Sequence, residues 1–247
     1  MARLSSMVVI GDRYLPERST AELGIYRIVA ELNFRNSTHP PDTHYLDRVD
    51  ECQISMPADS HKIIREEEGR VLLVNAAKQR YGECRRIELA SLASELGVGR
   101  ASAYRWFGDN DRLLAAVLIE RTAENFRLEL EKNADKTGRA RVQAVIDAIF
   151  RHEAQSKRFA MLLARDPKRA MKVIGSDFFP VRNATTQLIE KLLTEEQASG
   201  HLVLTSPSSI IAAAIVRILE GYLYANAVAG EELNIDTAMR CVAAVIH

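Results

Sequence analysis

The sequence is poor in several features that would each point to a particular class of protein. It has three cysteines, and Cys52, Cys84 and Cys241 lie far apart without paired spacing. This pattern argues against a disulfide framework and predicts reduced thiols in a cytoplasmic protein. The formal net charge is zero, so no overall positive field indicates nucleic-acid binding. No apolar run approaches the roughly 20 residues of a membrane helix, so no membrane partner is expected.

Motifs for catalysis are also missing. The sequence has no Gly-x-Ser-x-Gly elbow, no phosphate-binding loop and no dinucleotide-binding glycine fingerprint. His152 and Glu153 form a lone pair on a predicted helix, which is more typical of a surface or a core. His39, Asp42 and His44 are metal-ligand types, but they lack a closed ligand set and are interpreted as a solvated loop. We therefore expect no catalytic residues, no metal site and no cofactor.

The most informative stretch of the chain runs from Ile87 to Phe107. Apolar residues at helical spacing open it, namely Leu89, Leu92, Ala93 and Leu96. Gly97 follows the last of them, at a helix end that favours a residue able to take positive φ. A second helix then starts at Arg100. Two helices joined by a short glycine-containing turn predict a helix-turn-helix unit, whose second helix lies in the major groove of DNA.

The region from Val71 to Leu118 resembles the DNA-binding domain of the TetR family of bacterial repressors. The matching positions are Leu92-Ala93, Gly97-Val98, Tyr104-Arg105, Phe107 and Leu113-Leu114. The runs Tyr104 to Leu114 and Ala214 to Asp236 further resemble the QsdR branch, which is associated with regulating lactone-degrading genes. The resemblance implies an all-α fold with an N-terminal three-helix head and a helical body. It also implies a homodimeric repressor that binds a palindromic operator and is released by a small molecule, for instance a lactone or acyl compound.

Candidate DNA contacts lie on the second helix of the unit. They are Arg100, Ala101, Ser102, Tyr104, Arg105 and Trp106. Arg100 carries two donors that match O6 and N7 of guanine, and Ser102 could contact a base or a phosphate. The resemblance assigns Tyr104 and Trp106 to the sugar-phosphate backbone. Arg105 is either a phosphate clamp or the partner of a neighbouring acid.

Charge around this unit is locally positive, and three positions depart from the family pattern. The residues from Lys78 to Arg105 include more basic than acidic side chains, which could meet phosphates. Gly99 stands where a serine often caps the second helix, and Ile87 stands near a position where a hydroxyl often touches phosphate. Asn110 stands where a lysine is common, so one phosphate contact is in doubt.

The body from Gly138 onward reads as a series of helices that hold a ligand pocket and a dimer interface. Its candidate ligand-binding residues, together with one from the preceding helix, are Phe126, Phe150, Phe159, Tyr222 and Asn226. The helix that follows Pro207 is apolar nearly all round, which indicates burial on more than one side. The candidate interface residues on the two closing helices are Ile215, Ile218, Leu219, Met239 and Val242. The alternative is that these faces are intramolecular core.

These patterns divide the chain into three parts. Residues 1–55 are a poorly defined extension, interpreted either as lineage-specific or as upstream sequence included by a wrong start assignment. Residues 56–112 are the predicted helix-turn-helix DNA-binding domain, and residues 113–247 are the regulatory and dimerisation domain. The competing hypothesis is a helical interaction or ligand-sensing protein without specific DNA binding.

Overall fold

The structure is a computed structural model in which the chain divides into two compact units. It describes residues 7–10, 13–16, 58–176 and 178–246. The units are Met1–Asp42 and Thr43–His247. In the first, Met7–Ile10 (β1) and Arg13–Pro16 (β2) pair antiparallel. The loop residues His39, Asp42 and His44, and also Cys52, lie outside the described residues.

The second unit is all-α, which confirms the predicted fold class. Its head comprises α1 (Ala58–Gly82), α2 (Leu89–Glu95) and α3 (Arg100–Phe107). Its body comprises α4 (Asn110–Lys132), α5 (Gly138–Ala154), α6 (Lys157–Arg165), α7 (Pro167–Gly175), α8 (Val181–Ala198), α9 (Ser208–Tyr224), a π-helix (Ala225–Ala229) and α10 (Ile235–Val245). A search of the described residues for a helix long and apolar enough to span a membrane found none.

Local capping chemistry explains where several of these helices begin and end. Gly97 takes φ +68° directly after α2, a backbone conformation that L-residues with a Cβ adopt at a cost. The Asp109 carboxylate accepts the Arg112 N–H at 2.8 Å and so caps α4. Asp166 caps α7 in the same way, and Pro167 occupies the first position of that helix, where a missing N–H costs no hydrogen bond.

The head closes around a small apolar core. Leu73 and Ala77 of α1, Leu89 of α2 and Ala103 of α3 are all fully buried. These positions follow the helical stripes seen in the sequence, so burial of one face of each helix holds the three together. Leu113 of α4 is also fully buried, which carries the head core into the body.

The body surrounds a second and larger core, fixed at one end by a buried carboxylate. Residues from α4, α5, α8, α9 and α10 form this core. Glu196 of α8 is 3% exposed, accepts the Gly138 N–H at 2.6 Å and pairs with Arg141 at 2.8 Å. Gly138 has φ +57°, and a Cβ there would lie 2.3 Å from the His201 carbonyl oxygen. Glycine is therefore required where α5 begins, and Glu196 joins that point to the end of α8.

Candidate DNA-binding surface and effector cavity

The outer face of α3 carries most of the predicted DNA contacts. Arg100, Ala101 and Tyr104 are exposed, with Tyr104 at 44%, and Ser102 is half-buried. Ala103 and Phe107 are buried against the head core, as their helical positions predict. Because residues three and four apart share a helix face, Arg100, Ala101 and Tyr104 form one continuous outward surface.

The local surplus of positive charge predicted for the head is largely compensated by ion pairs. The pairs are Lys78 with Glu120 and Glu124, Arg80 with Glu95, Arg85 with Glu83, Arg86 with Glu88, and Arg105 with Glu66. Arg105 and Glu66 lie 2.8 Å apart, so of the two roles considered for Arg105 the structure shows the acid partner. Within the described ranges, Arg100 has no ion-pair partner, which leaves its guanidinium available at the start of α3.

Trp106 is directed toward α1 rather than away from the head. A Cβ added to Gly69 would lie 2.6 Å from the Trp106 ring, so the indole packs directly on the α1 backbone. Its Nε1 is buried and has no hydrogen-bond partner among the residues described. Gly69 is thus the position that lets α3 approach α1 closely, a role that the sequence did not reveal.

Asn110 has a local structural role. Its Oδ1 accepts the Leu89 N–H at 2.8 Å, at the first turn of α2. The Asn110 amide therefore satisfies one of the donors left free at the start of a helix and ties α4 to α2. An asparagine at this position replaces the lysine of the family pattern with a contact that fixes the helix-turn-helix unit on the body.

The body contains an apolar cavity of about 110 Å³. Its wall consists of Leu118, Thr122, Asn125, Ile149, Phe150, Glu153, Phe159, Ile174, Val181, Arg182, Thr185, Val216, Leu219, Glu220 and Leu223. Most of these residues come from the four long helices α4, α5, α8 and α9, and α6 and α7 contribute one each. On each long helix the wall residues recur at helical spacing, so they share one face. The cavity therefore lies where the inward faces of four long helices meet, a common position for a ligand site in a helical body.

The structure brings two of the five predicted ligand-binding residues to this cavity. Phe150 and Phe159 line it. Phe126 is instead 2% exposed within the larger core of the body. Tyr222 contacts Cys241, with 3.7 Å between the hydroxyl and Sγ, and the Asn226 amide donates to the Glu231 carbonyl at 2.7 Å. Tyr222 and Asn226 are not among the residues of the cavity wall.

Polar side chains in the cavity wall escaped the sequence analysis. Thr122 and Asn125 follow Leu118 on one stripe of α4, and Thr185 and Glu153 lie on inward faces of α8 and α5. The sequence does carry a signal for them, because each is a polar residue at a position where the helical period predicts an apolar one. Bulky residues alone did not indicate this wall, and Glu153 was interpreted as an ordinary surface or core residue.

The two acids in the cavity wall have different environments. The two oxygens of Glu220 share a bifurcated hydrogen bond from the Arg182 Nε–H, each 2.9 Å from Nε, and Glu220 lies 3.7 Å from Arg217. Glu153 Oε2 is buried and has no hydrogen-bond partner in the described part of the chain. Burial raises the pKa of Glu153, and the neighbouring charges of Arg121 and His152 oppose that rise only in part.

The predicted interface residues divide between core and surface. Ile215 and Val242 have no exposed area in the single chain, so they have no surface to offer a partner and are core residues. Leu219 lines the cavity. Ile218 and Met239 are only partly buried against the core, which leaves both with surface outside it. Ile215, Val242 and Leu219 therefore belong to the interior of the single chain.

Comparison with known proteins shows what this arrangement is similar to. Residues 137–247 match the family model of the tetracyclin repressor-like C-terminal domain. The structure of the R. erythropolis transcriptional repressor QsdR, from the TetR family, is 27% identical and superposes with a TM-score of 0.68. That alignment covers 73% of this chain and 95% of the QsdR chain. Comparison with curated proteins finds no match.

Two further solved structures align less well. The fatty acid degradation regulator FadR from Bacillus halodurans is 14% identical, with a TM-score of 0.45 over 71% of this chain and 96% of its own. A TetR-family regulator from Pectobacterium atrosepticum is 19% identical, with a TM-score of 0.47 over 73% of this chain and 91% of its own. Residues 137–247 thus match a tetracyclin repressor-like C-terminal domain, and the chain is similar to a TetR-family transcriptional repressor, QsdR.

Proposed function

We propose that this protein is a repressor that binds a palindromic operator as a homodimer and leaves it when a small molecule occupies the cavity. The observation that carries the proposal is the exposed face of α3, which presents an arginine without an acidic partner in the described part of the head. The similarity of the body to a tetracyclin repressor-like C-terminal domain supports a ligand-sensing role for it. The expected setting is the cytoplasm.

DNA reading is proposed for the beginning of α3. Arg100 would donate two hydrogen bonds to O6 and N7 of a guanine, and the methyl group of Ala101 would contact a thymine methyl. Ser102 and Tyr104 would bind phosphate or sugar and so fix the position of the helix. Trp106 would support α3 from behind, because its ring packs on Gly69. Arg105 would have to exchange Glu66 for a phosphate to contribute.

Dimerisation is proposed through the surfaces of α9 and α10, with Ile218 and Met239 at the contact. Two-fold symmetry of such a dimer would place two α3 helices on the two half-sites of a palindrome. The test is Ile218→Asp, which should convert the dimer to a monomer in sedimentation velocity. Val203→Asp is the matched control, because Val203 is 83% exposed in the loop before α9 and lies outside both proposed helices. A dimer that survives Ile218→Asp would refute this interface.

Release is proposed to pass through α6. Phe159 of this helix lines the cavity, and its neighbour Arg158 donates to the Gly82 carbonyl at 2.9 Å. Arg165, at the other end of α6, donates to the Cys84 carbonyl at 2.5 Å. Gly82 is the last residue of α1, and Cys84 lies in the loop that follows. An occupant that displaces Phe159 would therefore move the end of α1, and the separation of the two heads would change.

The proposed effector is a small apolar molecule, and the QsdR-like branch points to a lactone or acyl compound. Repression and release are tested by footprinting the purified protein on the DNA upstream of its own gene. We expect salt-sensitive protection of a symmetric sequence. Protection that is absent, or uniform along the DNA, would contradict the proposal and support a helical ligand-sensing protein without specific DNA binding.

A further inference from the structure

Glu153 is the least satisfied polar group facing the cavity. Its Oε2 atom is buried and accepts no hydrogen bond from any residue that the structure describes. A buried carboxylate oxygen without a donor is destabilising, and native proteins rarely retain one without a bound partner. The position of Glu153 in the wall of an otherwise apolar cavity makes a ligand the partner to consider.

Several of the polar groups near this oxygen are engaged with other partners. Arg182 directs its Nε to Glu220, and the Thr185 hydroxyl donates to the Val181 carbonyl at 3.0 Å. Arg121, whose charge acts on Glu153, lies 5.0 Å from the centre of the Tyr81 ring and forms a cation–π contact with it. The charge of Glu153 is therefore partly balanced, but the hydrogen-bonding capacity of its Oε2 atom is not used by the described residues.

The charges of the wall further limit the ligand. Glu153 and Glu220 contribute two carboxylates, against one guanidinium from Arg182. A ligand with a free carboxylate would meet like charge and bring no donor. A simple lactone is neutral, but its oxygens only accept hydrogen bonds. An amide or an amine carries the N–H group that Glu153 lacks.

We propose that the effector is a small apolar molecule with an N–H donor, which the Glu153 carboxylate accepts inside the cavity. This inference rests on the proposed function and narrows its ligand class from lactones and acyl compounds in general to molecules with an amide or amine group. The cavity of about 110 Å³ is smaller than one of about 150 Å³ that holds benzene, so a ligand with a short alkyl body enters only by displacing the Phe159 side chain, the movement proposed above for release.

The experiment compares four probes with similar short alkyl bodies and different polar ends. Hexylamine carries a cationic donor, hexanamide a neutral donor, γ-hexalactone only acceptors and hexanoate a carboxylate. Each is titrated calorimetrically into the full-length protein without DNA. We expect hexylamine and hexanamide to bind about tenfold or more tightly than the other two, as one hydrogen bond to a charged group implies. The stronger of the two donors identifies the ligand as cationic or neutral.

The variant Glu153→Gln tests the assignment to this side chain. It keeps the shape of Glu153 and removes its charge, so hexylamine should lose most of its advantage while γ-hexalactone gains from the new amide donor. Glu131→Gln is the matched control, because Glu131 is exposed and lies outside the cavity wall. Equal affinity for donors and acceptors, no binding of any probe, or an unchanged preference in Glu153→Gln would each overturn the inference.

The outcome is separable from that of the proposed function. Donor preference without a specific footprint would leave the ligand class standing and refute the DNA-binding proposal. A specific footprint without donor preference would support the DNA-binding proposal and refute the ligand class.

Discussion

The head and the body handle their polar side chains in opposite ways. In the head the charged groups around the helix-turn-helix unit are mostly paired at the surface, and Arg100 is left available to an external partner. In the body the charged groups that matter face inward, where Glu196 and Glu220 are paired and Glu153 is not. The comparison teaches that, within the described residues, the head offers a charged group at its surface, Arg100, whereas the body keeps an unsatisfied one inside, at Glu153 Oε2.

The largest expected effect follows from breaking the buried anchor of the body. Glu196→Ala should lower the free energy of unfolding by about 3 kcal/mol, because Arg141 and the Gly138 N–H lose their acceptor. For a chain of this size that is roughly a 6–12 °C fall in melting temperature by calorimetry. Glu195→Ala is the control, because Glu195 is exposed and its one ion pair, with Lys191 at 3.8 Å, is at the surface in the described structure. This variant should change the free energy of unfolding by less than about 1 kcal/mol. Equal effects would show that Glu196 is not an anchor.

The next effect concerns the available group of the head. Arg100→Ala should weaken specific DNA binding by about 1–3 kcal/mol and lessen discrimination against other sequences. Arg85→Ala, which removes an exposed charge next to Glu83, should weaken binding to all DNA sequences alike. Fluorescence anisotropy with a selected site and a scrambled site measures both. An unchanged ratio of the two affinities in Arg100→Ala would refute base reading by Arg100.

A smaller effect is expected at the unsatisfied group of the body. Burial raises the pKa of Glu153, so its charged form destabilises the folded state. This cost is absent below the ordinary carboxyl pKa and grows as pH rises through the raised one. Glu153→Gln should therefore be more stable than the wild type at pH 8, by about 1 kcal/mol, and equal to it near pH 4. A difference that does not depend on pH would contradict the assignment.

The sequence predicted the helices well because each has a local cause. The Gly97 turn, the Asp109 cap and Pro167 at the beginning of α7 all act within a few residues. The outward face of α3 was predictable for the same reason, since one helix period separates Arg100 from the buried Ala103 and Phe107.

The cavity could not be predicted in the same way. Its polar wall depends on pairs distant in the chain, such as Arg182 with Glu220, and on which helix faces meet. Bulky residues suggested Tyr222 and Phe126, but Tyr222 contacts Cys241 outside the cavity wall and Phe126 is buried in the larger core. The Trp106–Gly69 contact likewise joins two helices whose approach no local pattern reveals.

The smallest effect concerns the exposed pair between Arg105 and Glu66. Such a pair contributes less than about 1 kcal/mol to stability, so its loss should barely change folding. If Arg105 binds a phosphate in the complex, Glu66→Gln should strengthen DNA binding slightly for all sequences. Arg105→Ala should reduce the slope of log affinity against log salt by about 1. An unchanged slope would show that Arg105 does not bind a phosphate and pairs only with Glu66.

The central claim is that occupation of the body cavity and binding of DNA by the head oppose each other. Binding linkage requires this opposition to be reciprocal, so DNA must weaken the ligand as much as the ligand weakens DNA. The most direct measurement is calorimetric titration of hexanamide, or the tightest-binding of the four probes, into the free protein and into the protein saturated with its DNA site. The account predicts affinity weaker by about fivefold or more in the DNA complex. Equal affinity in the two states would contradict it.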